Sequence, residues 1–199
     1  LFRQGHAENV RSNAEGDYTL RKAIVILGAP GSGKSTIGKG LADRLGYHYV
    51  STGDLARQLV ERGMDDTWQL MGDFAPEHQI RQAFAENIKG HQAVVVDGMP
   101  RKVDQVTVLE GHFDEITCIN LVAEMDTLVK RLMGRGRVDD QEKIIKLRVR
   151  KYNQQIRQIL ERIEDNIARG GRYRSLQSIR VDNRTPEQIM DIIIGRMSD

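Results

Sequence analysis

The sequence has almost no cysteine and no long apolar run. Cys118 is the single cysteine among 199 residues, so no disulfide can form within the chain and no cysteine-based zinc spacing occurs. No apolar stretch approaches the roughly 18 residues that a membrane-spanning helix requires. These absences favour a protein of the reducing cytosol, so we expect a cytoplasmic chain with no membrane partner.

A nucleophilic catalytic arrangement is also missing. His48, His78, His91 and His112 are scattered along the chain, and they do not form part of a Ser-His-Asp pattern. We therefore expect each of these histidines to be solvated or to pack against its neighbours, without a part in catalysis.

The composition is that of a globular domain. Hydrophobic residues make up 39% of the chain and charged residues 29%, which is unlike a disordered protein. The length suits one core with small inserted lobes and is short for two ordinary domains. Residues 1–20 are polar and aperiodic, so we expect a flexible extension or an expression remnant there. We expect residues 21–199 to form a single, monomeric domain.

Arginine is much more frequent than lysine among the basic residues. The chain has 21 arginines against 9 lysines, although its net charge is only +2. Arginine is the side chain that contacts phosphate in bidentate geometry. Five arginines fall within twenty positions: Arg131, Arg135, Arg137, Arg148 and Arg150. A solvated helix face would explain such a cluster equally well, so both readings stay open.

From Lys22 onward, short apolar runs alternate with helical stretches. Residues 23–27 are continuously apolar up to Gly28, which is typical of a parallel strand covered on both faces. The predicted strands are residues 23–27, 47–50, 93–96, 116–122 and 178–181. The predicted helices are residues 34–45, 55–62, 76–89, 104–111, 125–133, 140–168 and 186–197. The alternation predicts an α/β fold with three layers (α/β/α) and about five parallel strands.

A phosphate-binding loop follows the first predicted strand. Its residues match G-x-x-x-x-G-K-[ST] in full and are Gly28, Ala29, Pro30, Gly31, Ser32, Gly33, Lys34, Ser35 and Thr36. The glycines let the backbone wrap a phosphate, and the helix start aims free N–H groups at it. Lys34 supplies charge to the β- and γ-phosphates, and the Ser35 hydroxyl can ligate Mg²⁺. The motif predicts a P-loop NTPase fold with ATP as a ligand.

Three further segments indicate which class of P-loop protein this is. They are STGDLAR at residues 51–57, DGMPR at 97–101 followed by Gln105, and RL at 131–132 followed by GRVDD at 136–140. Together with GAPGSGKST they resemble, in order and spacing, the motifs of the adenylate kinase family of nucleoside monophosphate kinases. The resemblance covers residues 22–197. It implies a small acceptor-binding insert at about residues 51–80 and a lid at about residues 133–141.

The resemblance also implies roles for individual residues. The catalytic residues are Lys34, Arg101, Arg131, Arg137 and Arg148, and ATP binds the phosphate-binding loop and Arg131. The acceptor-binding residues are Thr52, Gly53, Arg57, Gly98, Arg101, Gln105, Arg137 and Arg148. Asp97, at the end of a predicted strand, is the expected second metal group beside Ser35. Asp139 and Asp140 would orient lid arginines or cap the following helix, and Asp54 is expected to cap the helix at Leu55.

The sequence departs from the family pattern at three places. Four residues, 133–136, separate Leu132 from Arg137, so the lid is short and would exclude less water. The insert between Asp54 and Pro76 is compact. Ser35-Thr36 replaces a frequent Gly-Thr pair, which is a mild change at the metal.

Phosphoryl transfer onto a phosphate fits these residues, because the acceptor oxygen is already anionic and needs no general base. The sequence therefore predicts an Mg²⁺-dependent transfer from ATP to AMP. Transfer to another nucleoside monophosphate, or a nucleotide-responsive module without catalysis, remains an alternative. The basic helix at residues 143–162 mixes glutamates with its bases and has one aromatic residue, Tyr152, so we expect a solvated face and no nucleic-acid partner.

Overall fold

The computed structural model describes residues 20–67, 75–134 and 141–197. The predicted N-terminal extension lies outside the described residues except for Leu20. Residues 68–74 of the predicted insert and residues 135–140 of the predicted lid also lie outside them.

Five strands form one parallel sheet in the order β2-β3-β1-β4-β5. They are β1 (Lys22–Gly28), β2 (His48–Ser51), β3 (Ala93–Asp97), β4 (Glu115–Val122) and β5 (Tyr173–Arg180). The central strand β1 pairs with β3 on one side and with β4 on the other. The predicted α/β fold with a five-stranded parallel sheet is confirmed.

Helices follow the strands and cover both faces of the sheet. The described helices are α1 (Lys34–Leu45), α2 (Thr52–Glu61), α3 (Glu77–Asn87), α4 (Asp104–Glu110), α5 (Met125–Met133), α6 (Glu142–Ala168) and α7 (Pro186–Met197). Within the described ranges, no helix is long and apolar enough to cross a membrane.

The side chains of β1 alternate between two cores. Ala23, Val25 and Leu27 pack against α3, α4 and α6. Ile24 and Ile26 point to the other face and pack against α1 and α7. Because both faces are covered, the strand is apolar throughout, as its sequence predicts. Burial of each such side chain contributes roughly 1.5–3 kcal/mol, so this strand anchors the loop that follows it.

Two elements begin three or more residues away from their predicted starts. Strand β5 begins at Tyr173, five residues before the predicted start, because it is an edge strand whose polar residues hide the apolar pattern. Helix α2 begins at Thr52 and its N-cap is Ser51, whose hydroxyl accepts a hydrogen bond from the Asp54 backbone N–H at 3.3 Å. The predicted capping role of Asp54 is therefore wrong, and its side chain pairs instead with Arg57.

The carboxyl ends of three neighbouring strands meet at one edge. Ser51 is in register with Asp97 across β2 and β3, and Asp97 is in register with Ile26, two residues before Gly28. This edge places the phosphate-binding loop beside the two other motif segments, as parallel-sheet geometry requires.

Candidate active site

The phosphate-binding loop joins β1 to α1 in a conformation that depends on glycine. Gly31 has φ of 84°, and a Cβ there would lie 2.9 Å from both the Leu128 carbonyl oxygen and Leu132 Cγ. Leu128 and Leu132 of α5 belong to a third core beneath the loop, together with Ala29. A side chain at Gly31 would therefore displace the loop from its support.

The loop has the polar groups that a phosphate needs. Lys34 Nζ donates hydrogen bonds to the Gly28 and Ala29 carbonyl oxygens at 2.6 and 2.9 Å. The buried Ser32 hydroxyl has no hydrogen-bond partner among the described residues. Helix α1 begins directly at Lys34, so its unpaired N–H groups point at the loop. A bound phosphate fits these donors.

The two predicted metal residues, Ser35 and Asp97, lie in contact. Ser35 Oγ donates a hydrogen bond to Asp97 Oδ2 at 2.7 Å, and Asp97 is only 3% exposed. A hydroxyl and a carboxylate are the hard oxygen ligands that Mg²⁺ prefers. Tyr49, which the sequence analysis did not single out, also donates to Asp97 Oδ2, at 2.9 Å.

A second pocket lies next to this carboxylate and is built around Gly98. The Gly98 carbonyl oxygen accepts hydrogen bonds from Thr52 Oγ1 at 2.8 Å and from Arg101 Nε at 2.6 Å. Gly98 has φ of 86°, and a Cβ there would lie 2.7 Å from Thr52 Oγ1. The predicted residues Thr52, Gly98 and Arg101 are therefore brought together, and Gly98 leaves room for them.

Gln105 completes this pocket from α4. Its Oε1 accepts a hydrogen bond from the Arg101 backbone N–H at 2.7 Å, and the residue is 9% exposed. Because a backbone N–H must meet the oxygen, the orientation of the amide is fixed and its NH₂ group faces the other way. Gln105 and Thr52 line the same pocket.

Positive charge is concentrated at this pocket. Burial, together with the charges of Arg148 and Arg57, lowers the pKa of Arg101 to about 10, although the charge of Asp97 opposes the shift. Arg57 of α2 and Arg148 of α6 thus lie close enough to Arg101 to repel its charge. Such a group of positive charges favours binding of an anion between its members.

Gly53, another predicted acceptor-binding residue, lies beside the Arg57 guanidinium at the start of α2.

The remaining predicted arginines are placed differently. Arg131, in the last turn of α5, is exposed and its Nη2 donates to the Val181 carbonyl oxygen at 3.3 Å. Arg137 lies outside the described residues, as do Asp139 and Asp140. The structure thus brings Arg57, Arg101 and Arg148 together, and it puts Arg131 beside the chain segment that follows β5.

The mouth of the second pocket carries an ion-pair cluster that the sequence analysis missed. Glu77 at the start of α3 pairs with Arg81 and, at 3.2 Å, with Lys102. Arg81 also reaches Asp104 of α4 at 3.1 Å. The i, i+4 spacing of Glu77 and Arg81 is a visible signal, whereas the contact with Lys102 joins residues 25 positions apart.

The histidines with described contacts lie away from these groups. His48 and His91 stack at a centroid distance of 3.7 Å. His112 packs edge-on against Phe84 and Phe113. These are packing contacts, in keeping with the expectation for these residues.

Comparisons with known proteins agree with the motifs. A family model described as an AAA domain matches residues 27–146. Adenylate kinase 1 of Synechocystis sp. is 35% identical over 151 residues, which cover 68% of this chain and 80% of that protein. The adenylate kinase of Nocardia farcinica is 33% identical over 153 residues, with 69% and 83% covered.

A third relative extends the same similarity. The adenylate kinase of Mycolicibacterium smegmatis is 31% identical over 157 residues, which cover 72% of this chain and 87% of the relative. The residues matched by the family model include the phosphate-binding loop and the residues that line the second pocket. The chain is a phosphotransferase enzyme that belongs to the adenylate kinase family of nucleoside monophosphate kinases.

Proposed function

We propose that this enzyme transfers the γ-phosphoryl group of ATP to AMP, forming two molecules of ADP, and that it requires Mg²⁺. The observation that carries the proposal is the second pocket. Arg101 and the oriented amide of Gln105 line this pocket, which lies at the end of β3, the strand beside β1 and its phosphate-binding loop. We also expect it to act as a cytoplasmic monomer with no nucleic-acid partner.

ATP would bind the phosphate-binding loop through Gly28, Ala29, Pro30, Gly31, Ser32, Gly33, Lys34, Ser35 and Thr36. Lys34 Nζ, which now donates to loop carbonyls, would turn to the β- and γ-phosphates. The Ser32 hydroxyl, which has no hydrogen-bond partner in the described part of the chain, is available within the loop. Arg131 would contact the donor at the outer edge of the site.

The acceptor phosphate would bind Arg57 and Arg101. Arg57 and Arg148 both repel the charge of Arg101, and a phosphate dianion bound beside Arg101 would relieve this repulsion. Thr52, Gly53 and Gly98 would form the floor of the acceptor site, near residues that already contact one another.

Gln105 supports adenine as the acceptor base. Its Oε1 is engaged by the Arg101 backbone N–H, which leaves the NH₂ group as the outward donor. Adenine N1 is an acceptor and suits this donor. Guanine carries an N1–H donor at the same position and would leave two donors facing each other.

The transfer itself needs positioning and charge. An oxygen of the acceptor phosphate forms a bond to the γ-phosphorus while the bond from that phosphorus to the β–γ bridging oxygen breaks, and ADP leaves. Lys34, Arg101, Arg131, Arg137 and Arg148 would stabilise the charge on the transferring group. Mg²⁺, held by Ser35 and Asp97 with the nucleotide phosphates, would supply additional charge neutralisation.

The test is ADP production from ATP with AMP, CMP, UMP, GMP or dAMP as acceptor, measured by a coupled assay with and without EDTA. We expect turnover to be highest with AMP and to stop when the chelator is present. Absence of AMP-stimulated turnover by folded protein would contradict the proposal. Higher turnover with another acceptor would keep the reaction type and correct the acceptor.

A further inference from the structure

Tyr49 of β2 lies against the carboxylate of the proposed metal site. Its hydroxyl donates to Asp97 Oδ2 at 2.9 Å, and Ser35 Oγ donates to the same oxygen at 2.7 Å. One carboxylate oxygen therefore takes a hydrogen bond from the phosphate-loop helix and another from the neighbouring strand. Three elements, α1, β2 and β3, meet at this single oxygen.

The Tyr49 ring is held in place by α1. A Cβ at Gly38 would lie 2.8 Å from Tyr49 Cε2, so the ring already fills the space that a side chain would occupy. The Lys39 ammonium lies 5.7 Å from the ring centroid, in cation–π range. The ring also packs against the core formed with α1 and α7. These contacts leave the hydroxyl few alternative positions.

The Tyr49 hydroxyl supplies one of the two side-chain hydrogen bonds that the described residues make to the Asp97 carboxylate. Because Asp97 is a nearly buried carboxylate, loss of one of its hydrogen bonds would be costly.

We infer that Tyr49 is a positioning residue for the metal: its hydroxyl fixes the Asp97 carboxylate beside Ser35 and so strengthens Mg²⁺ binding with the nucleotide. This inference rests on the proposed function, since it concerns the same metal pair. Partners of metal-site carboxylates commonly act this way, because a ligand that is already oriented loses less freedom on binding. A purely structural tyrosine would affect stability and leave metal affinity unchanged.

The first experiment compares Tyr49→Phe with the wild-type enzyme. Binding of Mn²⁺ to the enzyme–ATP complex is measured by electron paramagnetic resonance, with ADP production recorded across a Mg²⁺ series. We expect about tenfold weaker Mn²⁺ binding and a matching rise in the Mg²⁺ concentration for half-maximal rate. ATP affinity in EDTA and the KM for AMP should stay within about twofold, since the donor and acceptor contacts are intact.

Tyr47→Phe is the matched control. Tyr47 packs against the same core as Tyr49, so its substitution also removes one tyrosine hydroxyl near β2. We expect its metal affinity to equal that of the wild type. Equal Mn²⁺ affinity for Tyr49→Phe and Tyr47→Phe would overturn the inference.

The Gly38→Ala variant tests the role of Tyr49 in a second, independent way. The added methyl group would push the Tyr49 ring away from α1 without removing its hydroxyl. We expect weaker Mn²⁺ binding in this variant too, with unfolding still cooperative. Unchanged affinity in Gly38→Ala, with Tyr49 shown to be displaced in its crystal structure, would also contradict the inference.

The proposed function and the role of Tyr49 can be contradicted separately. If the wild-type enzyme produces no ADP from ATP and AMP, the proposed function fails. If the wild-type enzyme is active and metal-dependent but Tyr49→Phe has the same metal affinity, the role of Tyr49 alone is wrong.

Discussion

At the scale of single residues, the contacts around Arg101 fix its orientation, which its motif alone does not show. Its Nε and backbone N–H are committed to Gly98 and Gln105, so its position is set before any ligand binds. Its lowered pKa of about 10 is still well above neutrality, and the guanidinium stays charged. A preoriented, desolvated charge is what stabilises a transferring phosphate at low reorganisation cost.

We predict that Arg101→Ala lowers kcat with AMP by on the order of 10²–10³-fold, because a preoriented charge is lost in the transition state. Affinity for ATP should change by less than about twofold, since the phosphate-binding loop is separate. Steady-state kinetics and a nucleotide-binding titration measure the two quantities. The exposed Arg150 of α6 is the control, and Arg150→Ala should keep the wild-type rate. A wild-type rate in Arg101→Ala would remove Arg101 from the site.

Gln105 permits a test of base choice. In Gln105→Glu, a carboxylate oxygen can still accept from the Arg101 backbone N–H, but the outward NH₂ donor becomes an acceptor. We predict that the ratio of kcat/KM for AMP over GMP falls by about tenfold or more, the scale expected when a base-pairing group is mismatched. Gln58→Glu, an exposed change of the same type on α2, should leave the ratio unaltered. An unaltered ratio in Gln105→Glu would show that this amide does not contact the base.

At the scale of secondary-structure elements, α2 and α3 position the second pocket. Helix α2 begins at its Ser51 cap, next to Thr52 and Arg57. Serine and aspartate are both good N-caps, and the prediction from sequence gave this role to Asp54 alone. Local preference alone could not choose between them. The choice follows from β2, which runs to Ser51 because that residue pairs with Asp97 of β3.

We predict that Ser51→Ala lowers the free energy of unfolding by about 1 kcal/mol, the usual cost of a lost N-cap. Denaturant unfolding measures the difference. Asp54→Asn, which removes charge without removing the cap, should cost less than Ser51→Ala. The opposite order would indicate that the Asp54–Arg57 pair, and not the cap, stabilises this helix.

The cluster at Glu77 predicts a pH dependence of stability. Burial raises the pKa of Glu77, but hydrogen bonds and charge from Arg81 and Lys102 outweigh it, so the net pKa is lowered. Its stabilising contribution is therefore complete above the ordinary glutamate pKa of about 4.3 and is lost as the pH falls through the lower folded value.

We expect Glu77→Gln to reduce the free energy of unfolding by roughly 0.5–1 kcal/mol at pH 7, the range for a partly exposed pair. The deficit relative to the wild type should shrink as the pH falls below about 4. Denaturant titrations at several pH values measure it, with Glu161→Gln on the exposed surface of α6 as the control. A deficit that is constant with pH would contradict a charge-based role for Glu77.

At the scale of the whole molecule, sequence periodicity predicts the sheet well because parallel strands covered on both faces are continuously apolar. The phosphate-binding loop and the segments at Arg57 and Arg101 are likewise visible as motifs. Edge strand β5 was predicted short, since a half-covered strand with polar residues lacks that signal.

Contacts between residues far apart in the sequence could not be predicted from the sequence alone. The Tyr49–Asp97 hydrogen bond spans 48 positions and the Lys102–Glu77 pair spans 25. Neither has a local pattern, because both depend on how strands and helices pack in three dimensions. Such contacts set the orientation of the motif residues, and they are what the structure adds to the motifs.

The most direct test of the central claim follows the phosphoryl group itself. The enzyme is incubated with ATP labelled at the γ-phosphate, unlabelled AMP and Mg²⁺, and the nucleotides are separated by chromatography. We predict that the label appears in ADP, that two ADP form for each ATP consumed, and that ATP persists when AMP is omitted. Label released as inorganic phosphate, or retained in ATP while AMP is present, would contradict it.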